Sequence, residues 1–406
     1  MFDQMLCLVG ENPLPVYLGI AGLCTQGGEV WLMHSADTRR HAVAVQKKLG
    51  SRWRCPAQNL VQVNPFSPQD VVRGTAQVSK GRPGLALNFT GGTKVMSAFA
   101  LQAHVNAQPG DHRLGRAFYL EDRGHVFRFC DGADLPFPPA LKLNVRDLVE
   151  LHGGSITDSN MWAPCTTADL QHMWDHFHAD KLRALYAVAQ REDKVYDSLA
   201  GQFDAATQSW RDGEWARFLD RFCEGSPQHP WRRVGLPERT GFGSWQEGWY
   251  SELHHQWRFA TGGWLELLVG YLVRCAIEGR KPEFGPDRLD LGREVVTGAQ
   301  IQWNREPFEA DLLLVRDNRL RLISATCQRD QRTARLKMFE AIHRARQAGG
   351  GLAAASTATL LRRPVDVQHC QSAVDPQGRH RFYGRTDIAD WMAGKRLDAL
   401  RADLSG

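Results

Sequence analysis

Short apolar runs, each closed by turn residues and separated by stretches of helical length, set the rhythm of the first third of the chain. They are Leu6-Cys7-Leu8-Val9, Val30-Trp31-Leu32-Met33, Leu60-Val61-Gln62-Val63 and Leu85-Ala86-Leu87-Asn88-Phe89. Runs of this length bounded by Gly, Pro or Asn read as buried strands. Between them, the pattern predicts a helix started by Pro15 and running to Ile20, and another over 39–49. Asp37 or Thr38 would cap the second, and Gly50 would stop it. Ser67-Pro68 opens a third helix, and a fourth covers 93–107. The resulting alternation of strand and helix predicts a Rossmann-like, parallel, doubly wound sheet. After it, 117–120, the turn Asp122-Arg123-Gly124 and 125–129 predict a hairpin.

The middle of the chain changes character. From about 167 to 216 it is amphipathic and helical, with Leu182, Leu185, Tyr186 and Val188 on one face, and 225–244 reads as a linker rich in Gly, Pro and Arg. A further helix starts at Gly262-Gly263-Trp264-Leu265-Glu266, followed by strand text at 294–296 and 308–315. Asp317-Asn318 predicts a hairpin turn into a strand over 319–326. A helix over 332–347 follows, with Leu336, Phe339 and Ile342 on one face, then Gly349-Gly350-Gly351 and strand text at 352–361. The expected division is an α/β domain over 1–155, a helical connector and linker over 156–240, and a second α/β domain over 241–406.

With 406 residues the chain is long enough for two or three domains, and 43% hydrophobic with 23% charged residues is an ordinary globular composition. A formal charge of +5 permits an anionic partner without demanding one. Nine cysteines without a C-x-x-C spacing suggest neither a zinc ribbon nor a disulfide framework, so a reducing cytoplasm is expected. No apolar run approaches the roughly 18–20 residues of a membrane span. The first residues carry no basic segment of the kind that opens a signal peptide. No membrane partner is expected.

Candidate chemistry concentrates at Asn88-Phe89-Thr90-Gly91-Gly92-Thr93-Lys94-Val95-Met96. A strand ending in a Gly-Gly turn and a helix start aims backbone N–H groups and partial positive charge at one point. Lys94 adds a full charge, and Thr90 and Thr93 add hydroxyls. The spacing is neither a Walker A loop nor G-x-G-x-x-G. Ligands of doubly wound sheets bind beyond the carboxyl ends of the strands. Gly10-Glu11-Asn12 and Ser35 stand at such ends too, so three loops are expected to converge on an anionic ligand. His172 and His176 have the i, i+4 spacing of metal ligands beside His178, Asp175 and Asp180, and His254-His255 form a second pair. Isolated histidines at this spacing are usually surface or interface residues, and both groups are read that way.

Leu8-Val9-Gly10-Glu11-Asn12-Pro13-Leu14-Pro15 and the nine-residue string from Asn88 to Met96 resemble the two signature loops of CARF domains, the CRISPR-associated Rossmann fold. The wider order of elements is similar to type III CRISPR accessory effectors, in which a CARF domain precedes a restriction-endonuclease-like domain. The resemblance implies a homodimer that binds cyclic oligoadenylate as activating ligand, with cyclic tetraadenylate the expected ring. Thr90, Gly91, Gly92, Thr93 and Lys94 would then hold phosphate and ribose, while Gly10, Glu11, Asn12 and Ser35 line the same pocket. A ring of phosphodiesters needs several N–H donors and a cation, and a two-fold symmetric ligand suits an isologous dimer.

The same resemblance extends to Gly-Gly-Trp-Leu-Glu at 262–266 and Glu-x-Asp at 309–311. In a PD-(D/E)xK nuclease the next strand carries Glu-x-Lys, and the acidic groups hold Mg²⁺ or Mn²⁺. Glu266 and Asp311 occupy matching positions and would be the metal ligands of an active site, but Ser324 and Thr326 stand where the Glu and Lys belong. Hydroxyls cannot replace the carboxylate's charge on a metal or the ammonium's on a phosphate. Arg335 or Lys337 could serve as a relocated cation, and Glu309 or Glu294 as a second carboxylate. Three outputs follow: a degenerate endonuclease-like domain acting by binding or assembly, a ligand-activated metal-dependent nuclease for DNA or RNA, or a ring nuclease that degrades its own ligand. Nucleic acid is therefore a further candidate partner.

Overall fold

A computed structural model describes residues 1–108, 111–121, 126–138, 141–158, 165–176, 262–303, 306–327, 330–375 and 377–405. The predicted apolar face at Leu182, Leu185, Tyr186 and Val188, the linker over 225–244, and His178, His254 and His255 lie outside these residues.

The first five strands alternate with helices as the apolar pattern predicts. In order they are β1 (Phe2–Val9), α1 (Leu14–Leu23), β2 (Cys24–His34), α2 (Arg39–Leu49), β3 (Leu60–Gln62), α3 (Pro68–Ser79), β4 (Ala86–Asn88), α4 (Lys94–Ala107) and β5 (Ala117–Glu121). The predicted hairpin appears as β5 with β6 (Val126–Phe129), extended by β7 (Asp134–Pro136). The sheet order is β3-β2-β1-β4-β5-β6-β7, with the first five strands parallel and the last two antiparallel. Leu6, Leu8, Met33, Leu85, Leu87, Met96 and Ala100 share the core beneath it. β1 and β4 are read as near-continuous apolar text because a parallel strand is covered on both faces.

The remaining elements are α5 (Val145–Leu151), β8 (Gly154–Asp158), α6 (Thr167–His176), α7 (Trp264–Glu278), β9 (Val295–Trp303), β10 (Glu306–Arg316), β11 (Arg319–Thr326), α8 (Gln331–Gly349), β12 (Ala354–Thr359), α9 (Pro364–Val374), β13 (Arg381–Tyr383), α10 (Arg385–Met392) and α11 (Leu397–Ser405). A second sheet has the order β13-β12-β11-β10-β9-β8. The chain forms two compact units. One holds 1–157, 300–322 and 339–355, and the other 158–299, 323–338 and 356–406.

Within the first unit, Asp317 and Asn318 have φ of 50° and 58°, as a two-residue hairpin turn requires. Asn318 is also buried: its Oδ1 accepts the Leu143 N–H (2.8 Å) and its Nδ2 donates to the Leu141 carbonyl (2.9 Å). The amide thereby satisfies both peptide groups of a strand-free segment. Within the second unit, α7 is buried nearly all round, from Trp264 to Ala276, as its unbroken apolar text implies.

The helix over 332–347 exists, and the apolar face marked by Leu336 and Phe339 is its outward one. Leu336 and Phe339 are 59% and 54% exposed, whereas Ala334, Met338, Ala341, Ala345 and Ala348 are buried. Small side chains let the helix axis come close to its neighbours. Thr357 Oγ1 donates to Met338 Sδ at 3.6 Å, and a Cβ on Gly349 would collide with Leu320. Spacing alone could not choose between two stripes of the same period.

Three buried histidines in the first unit, His41, His104 and His152, are held neutral, each with its pKa lowered to about 4 chiefly by burial. Arg40 adds to the effect at His41, and Arg116 at His104. Their unfolded pKa lies near 6.5, so between about pH 6.5 and 4 the unfolded chain binds more protons than the folded one. Folding free energy should therefore be undiminished above pH 7 and fall as pH drops through this window. Urea denaturation at pH 7.5, 5.5 and 4.5 should show a declining midpoint, and a flat profile would contradict the neutral assignments.

Candidate functional site

The sheet order 3-2-1-4-5 reverses direction between β1 and β4, and a crevice opens at such a switch point beyond the strand ends. β1 and β4 pair in parallel through Leu6 with Leu87 and Cys7 with Asn88, so the loops that follow them emerge at the same level. These are the loops carrying Gly10-Glu11-Asn12 and Thr90-Gly91-Gly92-Thr93-Lys94.

The two loops pass through each other's van der Waals space. A Cβ on Gly91 would collide with the Leu8 carbonyl oxygen, and one on Gly10 would lie 2.8 Å from the Gly92 nitrogen. Gly92 has φ +81°, a conformation that suits glycine and few other residues. The glycines thus permit a backbone crossing that no side chain would allow.

Hydrogen bonds from the two threonines fasten this crossing to loops on either side. Thr90 Oγ1 donates to Asn88 Oδ1 (2.6 Å) and accepts the Leu120 N–H (2.8 Å), tying the turn to β5. Thr93 is the N-cap of α4: its Oγ1 accepts the Met96 N–H (3.2 Å) and donates to the Pro65 carbonyl (2.9 Å), tying the turn to the loop after β3. Both hydroxyls are occupied within the protein, a role that sequence reading did not foresee. The exposed residue at this turn is Lys94. The first N–H groups of a helix, here those of Lys94 and Val95, have no partner inside it. Lys94 is exposed, and among the described residues it makes no hydrogen bond or ion pair.

Ser35 is buried, and its Oγ accepts the Thr38 N–H (3.2 Å), while Thr38 Oγ1 donates to the Val9 carbonyl at the end of β1 (3.1 Å). The third loop is therefore tied to the end of β1, where the first loop begins. Asn12 Oδ1 accepts the Leu14 N–H (3.1 Å) and lies 3.3 Å from Nε2 of His152, whose Nδ1 is 2.9 Å from the Leu148 carbonyl. Glu11 is exposed at the rim. Beyond Ser35, a groove of about 1310 Å³ runs along α2, with Arg39, Arg40, Lys47, Arg52 and Lys142 in its lining. Lys48, also there, is held by Asp147 (2.5 Å) and Glu150 (3.0 Å). Burial alone would lower its pKa, but these two bonds raise it.

The candidate residues of the second half are placed as follows. Glu266 is buried in the first turn of α7. Glu309 and Asp311 share one face of β10 and are half-buried. Ser324 and Thr326 are buried on β11, at 6% and 7% exposure. On α8, Lys337 is exposed and Arg335 is turned back on its own helix, its Nε donating to the Gln331 carbonyl (3.3 Å). Glu294 is exposed just ahead of β9. Among the described residues no three His, Cys, Asp or Glu side chains gather in a group able to hold a metal ion.

Gly91→Ala should destabilise the first unit by about 1–3 kcal/mol, because the Leu8 backbone cannot yield as a side chain could. Gly84→Ala, just before β4, places its Cβ in open space and should be neutral or slightly stabilising. Urea denaturation of the two variants side by side checks the difference.

No family model matches the sequence, and no curated protein does. Among the described residues no helix is long and apolar enough to cross a membrane. Among solved structures, the chain is similar to Can2 from Sulfobacillus thermosulfidooxidans in complex with cyclic tetra-adenylate, with a TM-score of 0.57 and 15% identity over 99% of each chain. It is also similar to protein VC1899 from Vibrio cholerae, with a TM-score of 0.60 and 12% identity, again over 99% of each chain. At such identities the likeness is one of fold, the mixed α/β architecture of the described residues.

Proposed function

We propose that the protein is a cyclic-oligoadenylate-binding CRISPR accessory protein of antiviral defence, whose endonuclease-like part is degenerate and acts by binding or assembly. The observation that carries this reading is the crossing of the Gly10 and Gly91-Gly92 loops at the β1/β4 switch point, with Lys94 exposed beside it. That arrangement offers a phosphate several fixed N–H donors, a helix N-terminus and one mobile cation. The fold shared with Can2, whose structure holds cyclic tetra-adenylate, supports a ring of that kind as the ligand.

In this reading Gly91, Gly92, Thr93 and Lys94 hold phosphate and ribose, and Thr90 braces the turn against β5. Gly10, Glu11, Asn12 and Ser35 form the facing wall. A two-fold symmetric ring would be held by two copies of the site, so the active form is a homodimer. Ser324 and Thr326 support the degenerate reading of the second half, since neither can supply the charge that metal-dependent phosphodiester cleavage demands.

Calorimetry with cyclic tetra- and hexaadenylate tests the sensor. One of the two rings should bind, and Lys94→Ala should weaken it about tenfold or more, the usual weight of a hydrogen bond to a charged group. If neither ring binds the wild-type chain, the reading is wrong. Incubation with the ring, Mn²⁺ and plasmid or single-stranded RNA should leave both nucleic acids intact. Ligand-dependent cleavage lost in Asp311→Ala would overturn the degenerate assignment, and linear products from the ring itself would make the protein a ring nuclease.

A further inference from the structure

Phe66 is 76% exposed, more than any described large apolar residue except Met1. Scattered surface apolar side chains need no explanation, but this one sits on a loop held from every side. Its N–H donates to Asn64 Oδ1 (3.0 Å), and the Asn64 N–H donates to Asp70 Oδ2 (2.7 Å). The Ser67 N–H donates to the Asn64 carbonyl (3.1 Å), and Ser67 Oγ caps α3 by accepting the Asp70 N–H (3.3 Å). The preceding residue, Pro65, receives the Thr93 hydroxyl at 2.9 Å. An exposed aromatic ring is thus presented on a hydrogen-bonded loop whose preceding residue, Pro65, is bonded to Thr93, the N-cap of the helix that carries Lys94.

Backbone N–H groups and a lysine can grip the phosphates of a nucleotide ring but cannot grip its bases. A base offers a flat, apolar π-face, and the partner that matches it is an aromatic ring whose loop is already ordered. Phe has no polar edge, so it would accept any purine without demanding a hydrogen-bond pattern. We infer that Phe66 is the stacking platform for one base of the nucleotide bound at the Gly91-Gly92 turn. The inference rests on the nucleotide reading of that turn and adds a residue outside the signature loops.

The test uses the full chain and three variants, Phe66→Ala, Phe66→Leu and Phe66→Trp. Because the ring is largely solvated, none should disturb folding. Calorimetry with the ring that binds the wild type should show Ala and Leu weakened by about 5- to 100-fold, the range for losing one stacked base, and Trp as tight or tighter. Sedimentation should be unchanged in all three. Wild-type affinity in Phe66→Ala or Phe66→Leu would overturn the inference while leaving the nucleotide reading in place. A change of oligomeric state in Phe66→Ala would overturn it too, by assigning the ring to contact between copies of the chain. If the wild-type chain binds neither ring, both readings fall together.

Discussion

The crossing of two loops at the ends of β1 and β4 is the constraint on which the rest of the first unit depends. Leu8 offers its carbonyl to the space where Gly91 passes, and Gly10 lies against the Gly92 nitrogen. Such an approach is open only to residues without a Cβ, and it is possible only because the paired strands bring both loops to one level. The backbone itself becomes the wall of the crevice.

The side chains around the crossing take up structural duties. The hydroxyls of Thr90 and Thr93 reach sideways, to Asn88 and Leu120 on one flank and to Pro65 on the other. Ser35 and Thr38 do the same for the third loop. A motif that reads as a set of ligand donors is, in three dimensions, a brace with a cation at its edge. The brace also fixes the loop that carries Phe66, through the bond from Thr93 to Pro65.

The second half follows a different logic. Asp317-Asn318 turns the β10–β11 hairpin, and the Asn318 amide then serves the peptide groups of Leu141 and Leu143. A turn residue selected for positive φ thereby also holds a neighbouring segment. Ser324 and Thr326 lie buried on the following strand, where small neutral hydroxyls are far easier to enclose than a carboxylate and an ammonium.

Much of this was legible in the sequence, and for a physical reason. Strand and helix periods, Gly-Gly turns and strand-end positions are local properties, so the alternation over the first 120 residues, the Asp317-Asn318 turn and the convergence of three loops could all be read directly. The string from Asn88 to Met96 marked the loop crossing because close backbone approach at Gly91 and Gly92 restricts residue type. Tertiary structure alone decided what local pattern leaves degenerate. On α8 two stripes share one period, and the alanine stripe, not Leu336 and Phe339, packed inward because small side chains allow a closer helix. The threonine hydroxyls had several partners within reach, and only the folded neighbours chose Leu120 and Pro65. Phe66 carried no signal of its own, since exposure is a property of what lies around a residue and not of the residue.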